Sequence, residues 1–169
     1  MKSLSGLLAI VAACGLLSIP AAGMGKNYFS AYDVLEIDDF ENITAVGEVG
    51  GIRPPQVVLD AAKRDIIQRV IEQHLFRQVE GHEDGKAKGS GDGRLRMTGV
   101  VEMFDSKVHK GGGKGSLRLR IKIVDQVSGI LLFDGTVAGK VSAWINKPIT
   151  DVTVSELGKQ VAKIIKENW

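Results

Sequence analysis

Cysteine is nearly absent from this chain of 169 residues, which contains only Cys14. A single thiol cannot close a disulfide within one chain, and it cannot supply the several thiolates of a cysteine zinc site. Cys14 also lies in an apolar N-terminal run that is typical of a removed export signal. We therefore expect the mature chain to have neither a disulfide nor a cysteine nucleophile, so that its stability depends on packing.

Aromatic residues and net charge are also scarce, since Phe, Trp and Tyr make up 5% of the chain and the formal net charge is +2. Nucleic-acid-binding domains need clustered cations and usually aromatic side chains that stack on bases. A nearly neutral, aromatic-poor chain does not fit that class, so we predict no nucleic-acid partner. The apolar fraction of 44% and the length fit one folded domain with its own core.

The N-terminus has the three parts of an export signal. Lys2 provides the positive charge, residues 6–19 form an uncharged apolar run, and residues 20–23 offer small residues to a signal peptidase. The run is short for a membrane span. We predict a signal peptide over 1–23 and a single envelope domain over 24–169, exported to the periplasm of a bacterium.

Cys14 leaves a second way of processing open. Val11, Ala12 and Ala13 precede it as they would in a lipoprotein, and lipidation would make Cys14 the first residue of an outer-membrane lipoprotein. The chain stays apolar over residues 15–19, however, where a lipoprotein normally turns polar. Cleavage after residue 23 is therefore the favoured prediction, and contact with a membrane follows only if Cys14 is lipidated.

Two segments have the apolar spacing of amphipathic helices. The first starts after Pro54 and Pro55, and we expect it to extend for about five to six turns. The second is predicted near the C-terminus, where Thr153 and Glu156 have the spacing of a capping box. Their apolar stripes contain Leu59, Ala62, Ile66 and Val70 in the first helix, and Val154, Leu157, Val161, Ile164 and Ile165 in the second.

Between and before these helices, alternation of apolar and polar residues predicts strands. The strands are expected over residues 32–40, 94–103, 116–123 and 130–133, and Ser128-Gly129 is expected to form a tight turn before the last of them. Glycine-rich segments at 81–93 and 110–115 are predicted to be mobile loops, and 47–51 a further loop. The fold class is therefore α+β: a mixed, mostly antiparallel sheet in the order β-α-β-β-β-α, with two helices on one face.

No segment has the residue pattern of a known catalytic, phosphate or metal motif, so we predict no catalytic residue, metal or cofactor. The three histidines, His74, His82 and His109, fall on different predicted elements, and His74 is expected to pack against its helix. Asp38 and Asp39, close to Glu41, could act as paired carboxylates, because like charges raise one pKa. This pair is the basis of an alternative function, a periplasmic hydrolase that modifies the cell wall.

One predicted sheet face is basic. If the strands over 94–103 and 116–123 pair, five cationic side chains share the side opposite the core, with Glu102 as the one evident acidic neighbour. These residues are Arg94, Arg96, Arg118, Arg120 and Lys122. We predict that they bind an envelope protein or an anionic envelope polymer.

Several segments together resemble a family of exported bacterial proteins of unknown function, many of them lipoproteins. They are the Tyr32-Asp33 strand that closes with Asp39-Phe40, Pro54-Pro55, Leu95 to Val101, and the strand Leu119 to Asp125 followed by Ser128-Gly129. The resemblance implies a compact α+β domain, similar in outline to the periplasmic domains of curli-secretion and penicillin-binding-protein activator lipoproteins. Because those domains bind proteins, it also implies a non-enzymatic binding or assembly role; it does not specify an oligomeric state.

Overall fold

The computed structural model describes residues 27–42, 53–81, 93–109, 112–143 and 148–169. The predicted signal peptide, the loop predicted at 47–51, His82 and most of the glycine segment at 81–93 lie outside these ranges. The described residues form one five-stranded sheet and two helices. No helix within the described ranges is long and apolar enough to cross a bilayer.

The sheet has the strand order β2-β1-β3-β4-β5. Its strands are β1 (Val34–Glu41), β2 (Gln78–Gly81), β3 (Arg94–His109), β4 (Gly112–Asp125) and β5 (Leu131–Ala143). β1 is parallel to both β2 and β3, whereas β3, β4 and β5 form an antiparallel meander. The predicted α+β class is confirmed. The structure adds β2, which the sequence pattern did not predict because four residues with two polar side chains give no clear alternation.

Both helices, α1 (Gln56–Glu72) and α2 (Ile149–Glu167), pack on the same face of this sheet. The core lies between them and the strands, and alternate strand residues point into it. The fully buried strand residues are Leu35, Ile37, Leu95, Met97, Val101, Leu117, Leu119 and Ile121. The apolar stripe predicted for α1 is buried in full, at Leu59, Ala62, Ile66 and Val70.

The predicted capping box of α2 is wrong. The helix begins at Ile149, directly after Pro148, so Thr153 lies inside its first two turns rather than at its start. The Thr153 hydroxyl donates to the Ile149 carbonyl oxygen at 2.7 Å, and the residue is buried. Proline fixes a backbone conformation that suits a helix start, and burial of Ile149 extends the helix toward the N-terminus by one turn.

Part of the glycine segment predicted as a loop belongs to a strand. Residues 112–115 form the beginning of β4, and Gly115 lies beneath α2. A Cβ at Gly115 would come within 2.2 Å of the Thr153 hydroxyl oxygen, and one at Gly139 within 2.2 Å of the Thr153 carbonyl oxygen. Glycine is therefore required at both positions for close approach of the helix to the sheet.

The residues just after the predicted cleavage site are part of the folded domain. A short 3-10 helix, Phe29–Ala31, precedes β1, and the Phe29 side chain is fully buried. Tyr28 donates its hydroxyl to the Asn168 side-chain oxygen at 2.7 Å, and the Phe29 amide donates to the Asn168 carbonyl at 3.2 Å. The two ends of the domain are thus joined.

The turn between β4 and β5 is held by the Asp125 carboxylate. It accepts hydrogen bonds from the Val127 amide at 2.8 Å, the Ser128 amide at 3.0 Å and the Tyr32 hydroxyl at 2.8 Å. The Ser128, Tyr32 and Val127 hydrogen bonds hold the pKa of Asp125 below its ordinary value. Burial, together with the bond to Asp125, raises the pKa of Tyr32 to about 12.

The raised pKa of Tyr32 predicts that the folded protein loses stability at alkaline pH. Because its pKa is higher in the folded protein than in the unfolded chain, its contribution is complete below pH 10 and disappears as the pH rises through about 12. We expect the ultraviolet titration of the folded protein to show a phenolate phase near pH 12. This phase should be missing in Tyr32→Phe and retained in Tyr28→Phe; its presence in Tyr32→Phe would assign it elsewhere.

Candidate functional site

The five cations predicted to form a binding face all lie on the side of the sheet opposite the helices, which we call the outer face. Register between β3 and β4 places Thr98 opposite Lys122, Val100 opposite Arg120, and Met103 opposite Arg118. Arg94 and Arg96 lie further along the same face of β3. Arg96, Arg120 and Lys122 are exposed, whereas Arg94 and Arg118 are half-buried. The structure thus places all five on one face, spread along β3 and β4.

Acidic side chains are more numerous on the outer face than the single neighbour, Glu102, that the sequence indicated. Each of three arginines forms an ion pair with an acidic residue of another strand, and the pair of Arg94 reaches across β1. The pairs are Arg94 with Glu80 of β2, Arg96 with Asp38 of β1 at 2.8 Å, and Arg120 with Asp134 of β5 at 2.8 Å. The expectation of a largely unopposed basic face is therefore wrong, and the outer face carries charges of both signs.

The Arg120 and Asp134 pair has the best geometry of the three. Two guanidinium nitrogens, Nε and Nη2, donate to the two carboxylate oxygens at 2.8 and 3.0 Å. These bonds hold the pKa of Asp134 below its ordinary value, and the same bonds raise the pKa of Arg120. A two-pronged contact of this kind fixes the orientation of both side chains. The pair therefore presents a defined pattern of charge.

An open groove of about 390 Å³ crosses the outer face where β1 and β3 are irregular. The register slips between Ile37 and Phe40 in β1 and between Val101 and Met103 in β3, and such bulges redirect side chains. The groove is lined by Asp38, Asp39, Glu41, Thr98, Gly99, Val100, Glu102, Arg120 and Lys122. It combines four carboxylates with two cations and a strip of backbone and apolar surface.

Asp38 and Asp39, the predicted carboxylate pair, bond to cations of different elements, one in the sheet and one in α1. Asp38 Oδ2 accepts from Arg96 Nε on the outer face, whereas Asp39 accepts from Lys63 of α1. The second oxygen of Asp38, Oδ1, is buried and has no hydrogen-bond partner among the described residues. A buried acceptor without a partner is costly, and this oxygen is enclosed by protein rather than open to a ligand.

None of the residues that line the groove is a histidine. His74 follows the end of α1 and is exposed, so the expectation that it packs against the helix is wrong. Its φ of 54° is left-handed, and its amide donates to the Ile71 carbonyl at 3.0 Å. This is the conformation that ends many helices, and it turns the side chain toward solvent. The His109 side chain is outside the described set.

Within the described ranges, no three His, Cys, Asp or Glu side chains are grouped so that they could hold a metal ion. Two of the four groove carboxylates are paired with cations, Asp38 with Arg96 of β3 and Asp39 with Lys63 of α1. The groove presents charges of both signs.

Comparison with known proteins gives likeness in fold. No protein-family profile matches the sequence, and no curated protein sequence matches it. The structure is similar to PelC from Paraburkholderia phytofirmans, crystallised as a dodecamer, with a TM-score of 0.55 and 14% identity over 85% of this chain and 94% of that one. It is also similar to a protein from Xanthomonas campestris of the family DUF330, with a TM-score of 0.53 and 10% identity over 78% of this chain and 80% of that one.

A lipoprotein from Neisseria meningitidis is a more distant match, with a TM-score of 0.43 and 11% identity over 77% of this chain and 98% of that one. The predicted resemblance to exported bacterial proteins of unknown function is confirmed at the level of the fold by the likeness to PelC and DUF330.

Proposed function

We propose that this protein is a non-enzymatic domain of the bacterial envelope that binds another envelope component through its outer face. One observation carries the proposal: in the described part of the chain both helices cover the opposite face and leave the outer face uncovered, and three of its arginines are held in ion pairs. An open, charged and preorganised surface suits docking, because little side-chain freedom remains to be lost on binding.

Mixed charge favours an envelope protein over an anionic polymer as the partner. A uniformly anionic chain would meet Asp38, Glu102 and Asp134 as well as the arginines, and like charges brought together oppose association. A protein segment can place a basic group at Glu102 and an acidic group at Lys122 in the same groove. The likeness to PelC, whose crystals contain a dodecamer, supports a role in assembly.

Placement of the groove carboxylates also supports a binding role over the alternative hydrolase. A general acid with a raised pKa needs burial or an unpaired like charge nearby. Asp38 and Asp39 are each paired with a cation of a different element, so they do not form a like-charged pair with each other. We further propose that the domain acts in the periplasm after removal of residues 1–23, or at the outer membrane if Cys14 is lipidated.

A double substitution tests the proposal. We expect Arg118→Ser/Arg120→Ser to leave the free energy of unfolding within about 1 kcal/mol, because exposed ion pairs contribute little. Capture of envelope proteins by the immobilised variant should fall severalfold relative to wild type. Capture by the wild type should also weaken with salt, because exposed charges are screened over roughly 8 to 10 Å.

The matched control is Lys159→Ser/Lys163→Ser, which removes two exposed cations from α2 on the other side of the molecule. It should capture the same proteins as wild type. Equal capture by all three proteins at low salt would show that the outer face is only solvated. If the wild-type protein bound a polyglutamate column as strongly as it binds envelope proteins, the partner would instead be an anionic polymer.

A further inference from the structure

The free edge of β5 is the longest unpaired strand edge in the described part of the chain. β5 has 13 residues and is hydrogen-bonded to β4 on one side only, at the end of the sheet order. Such an edge presents a row of unpaired backbone donors and acceptors, and proteins usually protect it with proline, bulges or several charges. β5 contains no proline and only two charged residues, Asp134 and Lys140.

The opposite edge of the sheet is different. β2 has four residues, Gln78–Gly81, and a short edge offers few hydrogen bonds to a partner. A second copy could therefore gain little by pairing its β2 with β5 in a head-to-tail manner. Pairing of β5 with β5 uses the long edge of both copies. Because the same surface of each copy is used, this pairing produces a closed two-fold dimer.

We propose that β5 pairs antiparallel with β5 of a second copy of this chain, about a two-fold axis at Val137. In this register Asp134 of each copy lies opposite Lys140 of the other, twice per dimer. Asp134 and Lys140 are on the same face because they are an even number of positions apart in one strand. That face is the outer face, since Asp134 pairs there with Arg120. Opposite charges directly across a strand pair are favourable.

Charge also selects this register over its neighbours. An axis at Asp134 or at Lys140 would place that residue opposite itself, and like charges in that position are unfavourable. An axis one position from Val137 on either side would leave both charges opposite uncharged residues such as Ala138 or Thr136. Only the axis at Val137 pairs both charges with each other, so the sequence of the edge is complementary to its own copy.

Pairing in this way would make one sheet of ten strands with the helices of both copies on one side. The outer faces of the two copies would then be continuous, and the groove would occur twice on one surface. The proposal concerns the edge and goes beyond the binding role of the outer face. A monomeric variant can therefore be tested separately for that role.

Two single-cysteine variants test the register directly. In the proposed dimer Thr136 of one copy lies opposite Ala138 of the other, and opposed Cα atoms are about 4.5 to 5.5 Å apart, within reach of a disulfide. Two cysteines at position 136 would be diagonal neighbours at roughly 7 to 8 Å, which is too far. Cys14 provides no free thiol in the exported protein, because it is either removed or lipidated.

We expect a mixture of Thr136→Cys and Ala138→Cys proteins to form a disulfide-linked dimer under mild oxidation, severalfold more than either variant alone. The measurement is a non-reducing gel of exported protein, with circular dichroism to show that each variant is folded. Cross-linking in neither sample, or equally in all three, would overturn the proposed pairing.

Charge reversal supplies a second measurement that does not depend on disulfide geometry. Lys140→Asp places two aspartates opposite each other at both sites, so sedimentation velocity should show a shift from dimer to monomer. Lys114→Asp makes the same change on the outer face of the internal strand β4 and should remain dimeric. A monomeric wild type at all concentrations, or no effect of Lys140→Asp, would contradict the proposal.

Discussion

Replacing Gly139 by alanine is expected to lower the free energy of unfolding by about 3 kcal/mol, at the upper end of the usual cost of overpacking. A Cβ there would lie 2.2 Å from the Thr153 carbonyl oxygen and 2.7 Å from the Leu157 amide nitrogen. Both are backbone atoms of α2, which cannot rotate away as a side chain can. The helix must therefore move outward, and the contact between Leu157 and the sheet is lost.

Gly135→Ala is the matched control for this prediction. It lies on the same strand and the same face, but its added Cβ would meet only the ring of Phe133, 2.8 Å away, and a half-buried ring can turn. We expect Gly135→Ala to stay within about 1 kcal/mol of wild type, since alanine also suits a strand better than glycine. Urea unfolding followed by circular dichroism compares the two; equal losses would show that α2 is not held closely at Gly139.

Phe29→Ala is expected to destabilise the domain by about 3 to 5 kcal/mol, which is the usual cost of removing a buried phenylalanine ring. The ring is fully buried, and it packs edge-on against Tyr28 with centroids 5.3 Å apart. Its loss leaves a cavity between the N-terminal segment and the end of α2. The Tyr28 and Asn168 hydrogen bond should weaken as well, because the same short helix positions it.

Ser30→Ala provides the control, because Ser30 is exposed and its hydroxyl donates only to the nearby Asn27 carbonyl. It should change the free energy of unfolding by no more than about 0.5 kcal/mol. The same urea experiment distinguishes the two variants. If Phe29→Ala were as stable as wild type, the 3-10 helix Phe29–Ala31 would not contribute to the stability of the domain.

Local patterns predicted much of the fold, because they depend on one element at a time. Alternation in the segment 117–123 identified both the strand and its buried side, since successive side chains of a strand point to opposite faces. The stripe from Leu59 to Val70 likewise identified α1. The three strands of the meander proved longer than predicted, because their ends contain glycines and polar residues that carry little pattern.

The candidate site was less predictable because it depends on strands that are distant in sequence. Arg94, Arg96 and Arg120 could be placed on one face from alternation alone. Their acidic partners come from β2, β1 and β5, and nothing in a local window shows which strands will be neighbours. A prediction of strand order would have supplied the missing signal. Asp38 and Asp134 each occupy one of the alternate positions of their own strand that point to the outer face.

The bulges that shape the groove illustrate the same limit. A bulge is an extra residue relative to the partner strand, so it exists only in the paired register. The segment around Asp38 and Asp39 has no glycine or proline to mark one, and the prediction of paired carboxylates rested on their closeness in sequence. In the structure a different partner holds each side chain, Arg96 for Asp38 and Lys63 for Asp39.

The position of β1 in the sheet sets an order in which the chain can fold. β1 lies between β2 and β3, and its residue Val34 pairs with Arg94, about sixty positions later in the chain. β3, β4 and β5, by contrast, join through short connections and can pair soon after they are made, because nearby segments meet fastest. The first strand to be synthesised is therefore among the last to be locked in place.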